Sequence, residues 1–71
     1  MNALIELTAL SLCRPGLDAT PGQVAAWYRA KGRIHEHLAA DVVGPEQITE
    51  LAYAATAYEH AGQLIKTGVA A

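Results

Sequence analysis

The sequence predicts an all-α protein: an antiparallel helical hairpin over about 21–42 and 45–67, preceded by a helix or extended arm over about 3–13. In both long segments, apolar residues recur at three- and four-residue spacing, as they do on one face of a helix. Proline and glycine stand at the segment boundaries, where they interrupt regular structure. The chain also holds fifteen alanines, and alanine is the strongest helix former.

The first long helix has a clear start signal. Thr20 is expected to be its N-cap, and Pro21 suits the first helical position. Gln23 lies three residues after the cap, so its side chain can reach back to the Thr20 N–H. The helix is expected to stop before Gly44, because Pro45 disfavours helical geometry in the residue before it.

The second long helix is expected to begin at Pro45, in the same way as the first. Glu46 then lies in the first turn, where a negative charge suits the helix dipole. Lys66 and Gly68 are expected to close the helix, as a cation in the last turn and a residue that can adopt a left-handed cap.

The apolar stripes of the two helices match when the chain folds back between them. Facing residue numbers then add up to 89. Trp27, the largest side chain, lies opposite Gly62, the smallest, so Gly62→Leu is expected to clash with Trp27. The predicted pairs are Val24 with Ile65, Trp27 with Gly62, Lys31 with Tyr58, Ile34 with Ala55, and Leu38 with Leu51.

Residues 3–13 fit two structures. Alanine and leucine dominate them and favour a helix, whereas Ile5 to Ala9 alternates between apolar and polar residues as a strand would. The chain offers no second strand, so a strand here would have to pair with another subunit. A helix is favoured, and both alternatives remain open from the sequence.

A single domain of 71 residues lies near the size at which one core is only marginally stable. We therefore expect self-association, as a homodimer packed like a four-helix bundle. Apolar residues outside the predicted seam are the candidate contacts with a second copy or another protein. They are Leu4, Leu7, Leu10, Tyr28, Tyr53 and Leu64.

The N-terminal run and the single cysteine bear on location. Residues 3–13 lack the basic start of a signal peptide and are too short to span a bilayer, so no membrane association is expected. Cys13 is the only cysteine, which rules out an intramolecular disulfide. A reducing cytoplasm is the simplest setting, with Cys13 buried or half-buried.

Residues that could carry chemistry are poorly placed for it. His35 and His37 point about 200° apart on a helix, so they cannot grip one ion. His37 with Asp41 offers two ligands, too few for a zinc site. The hairpin register places His60 near Tyr28 and away from His37. We therefore expect no catalytic, cofactor-binding or metal-binding residues within one chain; a metal site across a dimer interface stays open from the sequence.

Two functions fit the sequence. The first is a small non-enzymatic protein–protein interaction or regulatory module that acts through helix surfaces. The alternative is a small nucleic-acid-binding regulator that uses Arg29 and Arg33, one turn apart on α-helical spacing. If residues 3–13 formed a strand, the order of elements would match that of ribbon-helix-helix repressors. A net charge of −2 lacks the basic excess typical of nucleic-acid binding, which favours the first function.

Overall fold

A computed structural model describes the backbone of residues 3–70 and the side chains of residues 5–67. Three helices account for the regular structure of this part: α1 (Ala3–Leu12), α2 (Pro21–Ala40) and α3 (Pro45–Ala70). The prediction of an all-helical protein with a hairpin of two long helices is confirmed. Residues 3–12 are helical, so the strand that a ribbon-helix-helix arrangement requires is absent from this segment.

The start of α2 forms as predicted. The Thr20 hydroxyl accepts a hydrogen bond from the Gln23 N–H at 3.1 Å, and the Gln23 side chain accepts one from the Thr20 N–H at 2.9 Å. Together they satisfy two N–H groups that a helix start leaves without partners. Pro21 lies in the first helical turn.

The turn between α2 and α3 depends on Gly44, whose φ of +72° lies in the left-handed region that favours glycine. The Gln47 side chain then donates to the Ala39 carbonyl at 3.0 Å and ties the two helices together beside the turn. The far end of α3 differs from the prediction. The helix continues through Gly68 to Ala70, so the expected stop at Lys66 and Gly68 is wrong.

The seam between α2 and α3 is made mostly of small residues. Ala25, Gly32 and Ala39 are buried on α2, and three alanines are buried on α3: Ala54, Ala57 and Ala61. At Gly32 a Cβ atom would lie only 2.8 Å from carbon atoms of the Tyr58 ring. The absence of a side chain at this position is therefore what lets the ring approach α2 so closely.

The seam lies on different faces from those predicted. Ile48, Leu51 and Ile65 were expected inside it, but they are 70%, 50% and 40% exposed. The predicted pairing of Trp27 with Gly62 is also wrong, because a Cβ at Gly62 would meet nothing within 4 Å. The expected clash of Gly62→Leu with Trp27 therefore loses its basis.

The register of the hairpin is nevertheless close to the prediction. Tyr28 and His60 stack with ring centroids 4.3 Å apart, and His35 and Tyr53 lie 5.3 Å apart; both pairs of numbers add up to 88. The contact of Gly32 with Tyr58 adds up to 90. Each helix is thus rotated about its axis while the axial alignment is kept.

Helix α1 packs against α2 on the side away from α3. The Trp27 indole N–H donates to the Leu10 carbonyl at 2.9 Å, and the Trp27 ring lies beneath the Arg14 guanidinium at 5.6 Å. Ile34, predicted to face Ala55 in the hairpin seam, is buried and lies with residues of α1 around a shared cleft. Lys31, predicted to lie along Tyr58, instead extends over the Trp27 ring at 5.8 Å.

The connection from α1 to α2 corrects one further expectation. Cys13, expected to be buried or half-buried at the end of the apolar segment, is exposed. Its backbone N–H still closes the last turn of α1 by donating to the Ala9 and Leu10 carbonyls. Leu12 and Leu17 are exposed on either side of it.

Gly32→Ala tests the close contact of the seam. The added Cβ must push the Tyr58 ring, which is also held by its hydroxyl, and overpacking of this kind typically costs about 1–3 kcal/mol. This exceeds the gain of about 1 kcal/mol that alanine brings to a helix. Chemical denaturation should show a lower free energy of unfolding.

Gly22→Ala is the matched control in the same helix, because the nearest atom to its added Cβ is 3.9 Å away. This variant should unfold with a free energy equal to or above that of the original chain. A Gly32→Ala variant as stable as Gly22→Ala would contradict the packing described for the seam.

Candidate interaction surface

The outer side of α3 carries a second apolar stripe, which we call the outer stripe. Its members recur every three or four residues, and all except Tyr58, which is half-buried, are exposed. It comprises Ile48, Leu51, Ala55, Tyr58, Gly62 and Ile65. These are the residues predicted to face α2. Apart from Tyr58, whose ring reaches Gly32 of α2, they lie outside the seam, and the buried alanines of α3 occupy that place instead.

The outer stripe is directed well away from the seam. At about 100° per residue, its centre lies about 97° around α3 from the centre of the buried alanines. Within the described residues α3 packs on α2, and the outer stripe lies to one side of that contact.

Other exposed apolar side chains are more scattered. They lie on α1, on the connection after it and at the hairpin turn, and do not form a stripe of this length: Ile5, Leu12, Leu17 and Val43. Isolated exposed apolar residues are normal on protein surfaces, whereas a contiguous set is informative. The outer stripe is thus the stronger candidate for a contact surface.

The contact residues predicted from the sequence are distributed over several places. Leu7, Tyr28 and Tyr53 line one groove of about 390 Å³, on the side of the hairpin opposite to the outer stripe. Leu10 is half-buried against α2, and Leu64 is half-buried on α3. The Leu4 side chain lies outside the described residues. The structure therefore brings three of the six together, while Leu10 lies elsewhere on α1 and Leu64 lies farther along α3.

The groove also contains polar groups. Lys31, His35, Thr56 and His60 line it beside the two tyrosines. His60 stacks on Tyr28, as the predicted register requires. Tyr53 and His60 are exposed and the Lys31 side chain is half-buried on this face of the hairpin, which lies about opposite the outer stripe.

Three consecutive residues of α2 hold the helices together through polar contacts. His35 Nδ1 donates to the Glu50 carboxylate on α3 at 2.6 Å, and His37 Nδ1 donates to the Glu6 carboxylate on α1 at 2.9 Å. Between them, Glu36 accepts a hydrogen bond from the Tyr58 hydroxyl. The two histidines point to different helices, as predicted, and among the described residues no three ligand side chains gather around a metal position.

The hydrogen bond from Tyr58 changes the acidity of its phenol. Donation to the Glu36 carboxylate raises the Tyr58 pKa above 10.0, and desolvation and the negative charge of Glu36 raise it further, while nearby Arg33 lowers it. The neutral phenol is therefore the form that the folded hairpin favours.

Arg29 and Arg33, the candidate nucleic-acid contacts, are both exposed on α2. Glu36 shares their face, since the three residues are spaced four and three apart, and its bond to Tyr58 places that face beside the outer stripe. A carboxylate therefore lies on the same face as the two arginines.

A scan against protein-family models and searches of curated proteins and of solved structures find no match to this chain. None of the helices in the described part of the chain combines the length and the apolar character needed to cross a membrane.

The Tyr58 hydrogen bond generates a prediction in alkaline solution. A raised pKa in the folded state contributes stability that is present below pH 10 and is lost as pH rises through the raised value. Titration followed by tyrosinate absorbance should show a late step that Tyr58→Phe removes and Glu36→Gln shifts toward lower pH.

Tyr53→Phe is the control, because it removes a phenol on the other side of the hairpin and leaves the bond to Glu36 in place. The late step should persist in this variant. A titration in which Tyr58→Phe and Tyr53→Phe change the curve identically would show that the bond does not form in solution.

Proposed function

We propose that this chain is a small non-enzymatic protein–protein interaction module that self-associates through the outer stripe of α3. The homodimer would pack as a four-helix bundle built from two hairpins. The observation that carries this proposal is the exposure of Ile48, Leu51 and Ile65 at helical spacing on one face. The reducing cytoplasm is the proposed compartment, because exposed Cys13 would persist there as a thiol.

The accessible surface area of the chain supports an association in which a second copy covers part of the surface. Its accessible area is 5095 Å², whereas a folded monomer of 7.5 kDa is expected to expose about 4,250 Å². The difference of about 850 Å² matches the area that one partner contributes to a standard protein interface, about 800 Å².

The composition of the core supports the same proposal. Apart from Ile34, the buried apolar residues of the described part are alanines, and no large side chain there is fully buried. Large side chains supply most of the stabilisation from burial, about 1.5–3 kcal/mol each. A core of this kind leaves the single hairpin marginal, and a second copy would supply the missing apolar contacts.

Leu51→Glu tests the proposal directly. Leu51 lies in the middle of the outer stripe, so a carboxylate there would be desolvated in the dimer and would weaken association at least about tenfold, or about 1.4 kcal/mol. Gel filtration coupled to light scattering should show a dimer for the original chain. On dilution, the dimer of the variant should dissociate at a higher protein concentration than the dimer of the original chain does.

Gln63→Glu is the matched control, because it adds the same charge to an exposed position of α3 outside the outer stripe. Its association should equal that of the original chain. A chain that stays monomeric at all concentrations, or that associates equally well with Leu51→Glu, would contradict the proposed function.

Nucleic-acid binding is the second candidate, supported by the exposure of both Arg29 and Arg33 one turn apart. It predicts retardation of a DNA or RNA probe that weakens steeply with salt and that falls when both arginines become alanine. Absence of retardation at low salt would remove this candidate.

A further inference from the structure

We infer that the second copy binds antiparallel and face to face, so that α3 packs on α3 and α2 packs on α2, related by a two-fold axis. This inference rests on the proposed function and specifies its partner and register. In a two-fold interface the same surface meets itself, so the outer stripe must be complementary to its own reversed copy. The sequence of the stripe has this property.

The antiparallel register is fixed by side-chain size. When the facing numbers of the two α3 helices add up to 113, Leu51 lies opposite Gly62 of the second copy, and Tyr58 lies opposite Ala55 of the second copy. Ile48 and Ile65 meet at the two ends. At the centre, Leu51 then faces a glycine, and Tyr58, whose ring lies against Gly32 of α2, is level with the small Ala55. A Cβ at Gly62 would meet nothing within 4 Å, so Leu51 of the second copy would meet no side chain of that hairpin there.

A parallel register lacks this complementarity. It would place Tyr58 against Tyr58 and Leu51 against Leu51, and it would leave Gly62 facing Gly62 with a void between them. Overpacked and underpacked layers would alternate along the same seam, and both are unfavourable. The parallel helix dipoles would also be aligned, whereas antiparallel dipoles oppose each other favourably.

The charges on α2 fit the same register independently. Facing numbers add up to 89 within a hairpin and to 113 between the two α3 helices, so those of the two α2 helices add up to 65. Arg29 then lies level with Glu36 of the second copy, and Glu36 lies level with Arg29 of the second copy. Both residues are exposed, on the side of the hairpin that carries the outer stripe. The carboxylate that accepts the Tyr58 hydrogen bond can also accept from this guanidinium, since it has about four acceptor positions.

In this arrangement Arg33 and Arg29 are expected to have opposite effects on association. Arg33 lies close to the two-fold axis, level with its own copy, and the two positive charges repel each other. Arg29→Ala should therefore weaken association, and Arg33→Ala should strengthen it. In the nucleic-acid alternative both substitutions reduce binding of the probe, so the pair of variants separates the two uses of this face.

Disulfide cross-linking tests the register. In a Cys13→Ser background, Leu51→Cys and Gly62→Cys are prepared as separate proteins and oxidised alone and as a mixture. In the antiparallel register Leu51 of one copy and Leu51 of the other are eleven residues, or about 16 Å, apart along the helix axis. This distance is too long for a disulfide. Covalent dimers should therefore form in the mixture and be at least about tenfold less abundant in either protein alone.

Charge exchange provides a second measurement that needs no cysteine. Arg29→Glu and Glu36→Arg should each weaken self-association about tenfold, because like charges then face each other in both pairs. An equimolar mixture of the two variants should associate as a heterodimer, since each facing pair again carries opposite charges. Sedimentation velocity distinguishes these states.

The outcomes separate the register from the proposed function. Self-linking of Leu51→Cys, or a dimer that shows neither the mixed disulfide nor heterodimer recovery, would overturn the antiparallel register while leaving self-association through the outer stripe intact. A monomeric chain in every sample would overturn both.

Discussion

The close approach of α2 and α3 over small side chains is the constraint on which the rest of the structure depends. Gly32 admits the Tyr58 ring against the α2 backbone, and the buried alanines on both helices keep the seam thin. A thin seam brings many backbone and Cβ atoms into contact, which favours a defined helix pairing. It also leaves no volume in the seam for leucine or isoleucine, so the large apolar residues of α3 lie outside it.

Because most side chains in the seam are small, polar contacts lie along its flanks, and the large side chains of Ile48, Leu51 and Ile65 stay exposed. The flanks of the seam are fixed by His35 with Glu50 and by Glu36 with Tyr58, while His37 with Glu6 attaches α1 to α2. Such exposed or half-exposed contacts set geometry more than they add stability. Burial of apolar area contributes more to stability, and much of the large apolar area of α3 lies on the exposed outer stripe.

Much of this fold could be predicted from the sequence. The capping box at Thr20, the prolines at the helix starts and the helical spacing of apolar residues are local signals, and each led to the correct element. The axial register followed from matching two stripes of known length, and the stacking of Tyr28 with His60 bears it out.

The rotation of the helices could not be predicted in the same way. Helix α3 has two stripes, one of alanines and one of large apolar residues, and hydrophobicity alone favours the larger residues for the seam. In the structure the stripe of alanines occupies the seam, because alanine and glycine let the two helices approach each other more closely. For the same reason Ile48, Leu51 and Ile65 were missed as candidate contacts: they were assigned to the interior. The exposure of Cys13 was missed because its place on the short connection after α1 depends on how that helix packs.

If the outer stripe of α3 is a contact surface between two copies, dilution must change its surroundings. Nuclear magnetic resonance spectra of the original chain at decreasing concentration measure this change. Signals of the outer stripe should shift together toward those of a monomer, while signals of Tyr28 and Tyr53 in the opposite groove should stay in place. Spectra that do not change with concentration, or changes confined to the groove, would contradict the proposed contact.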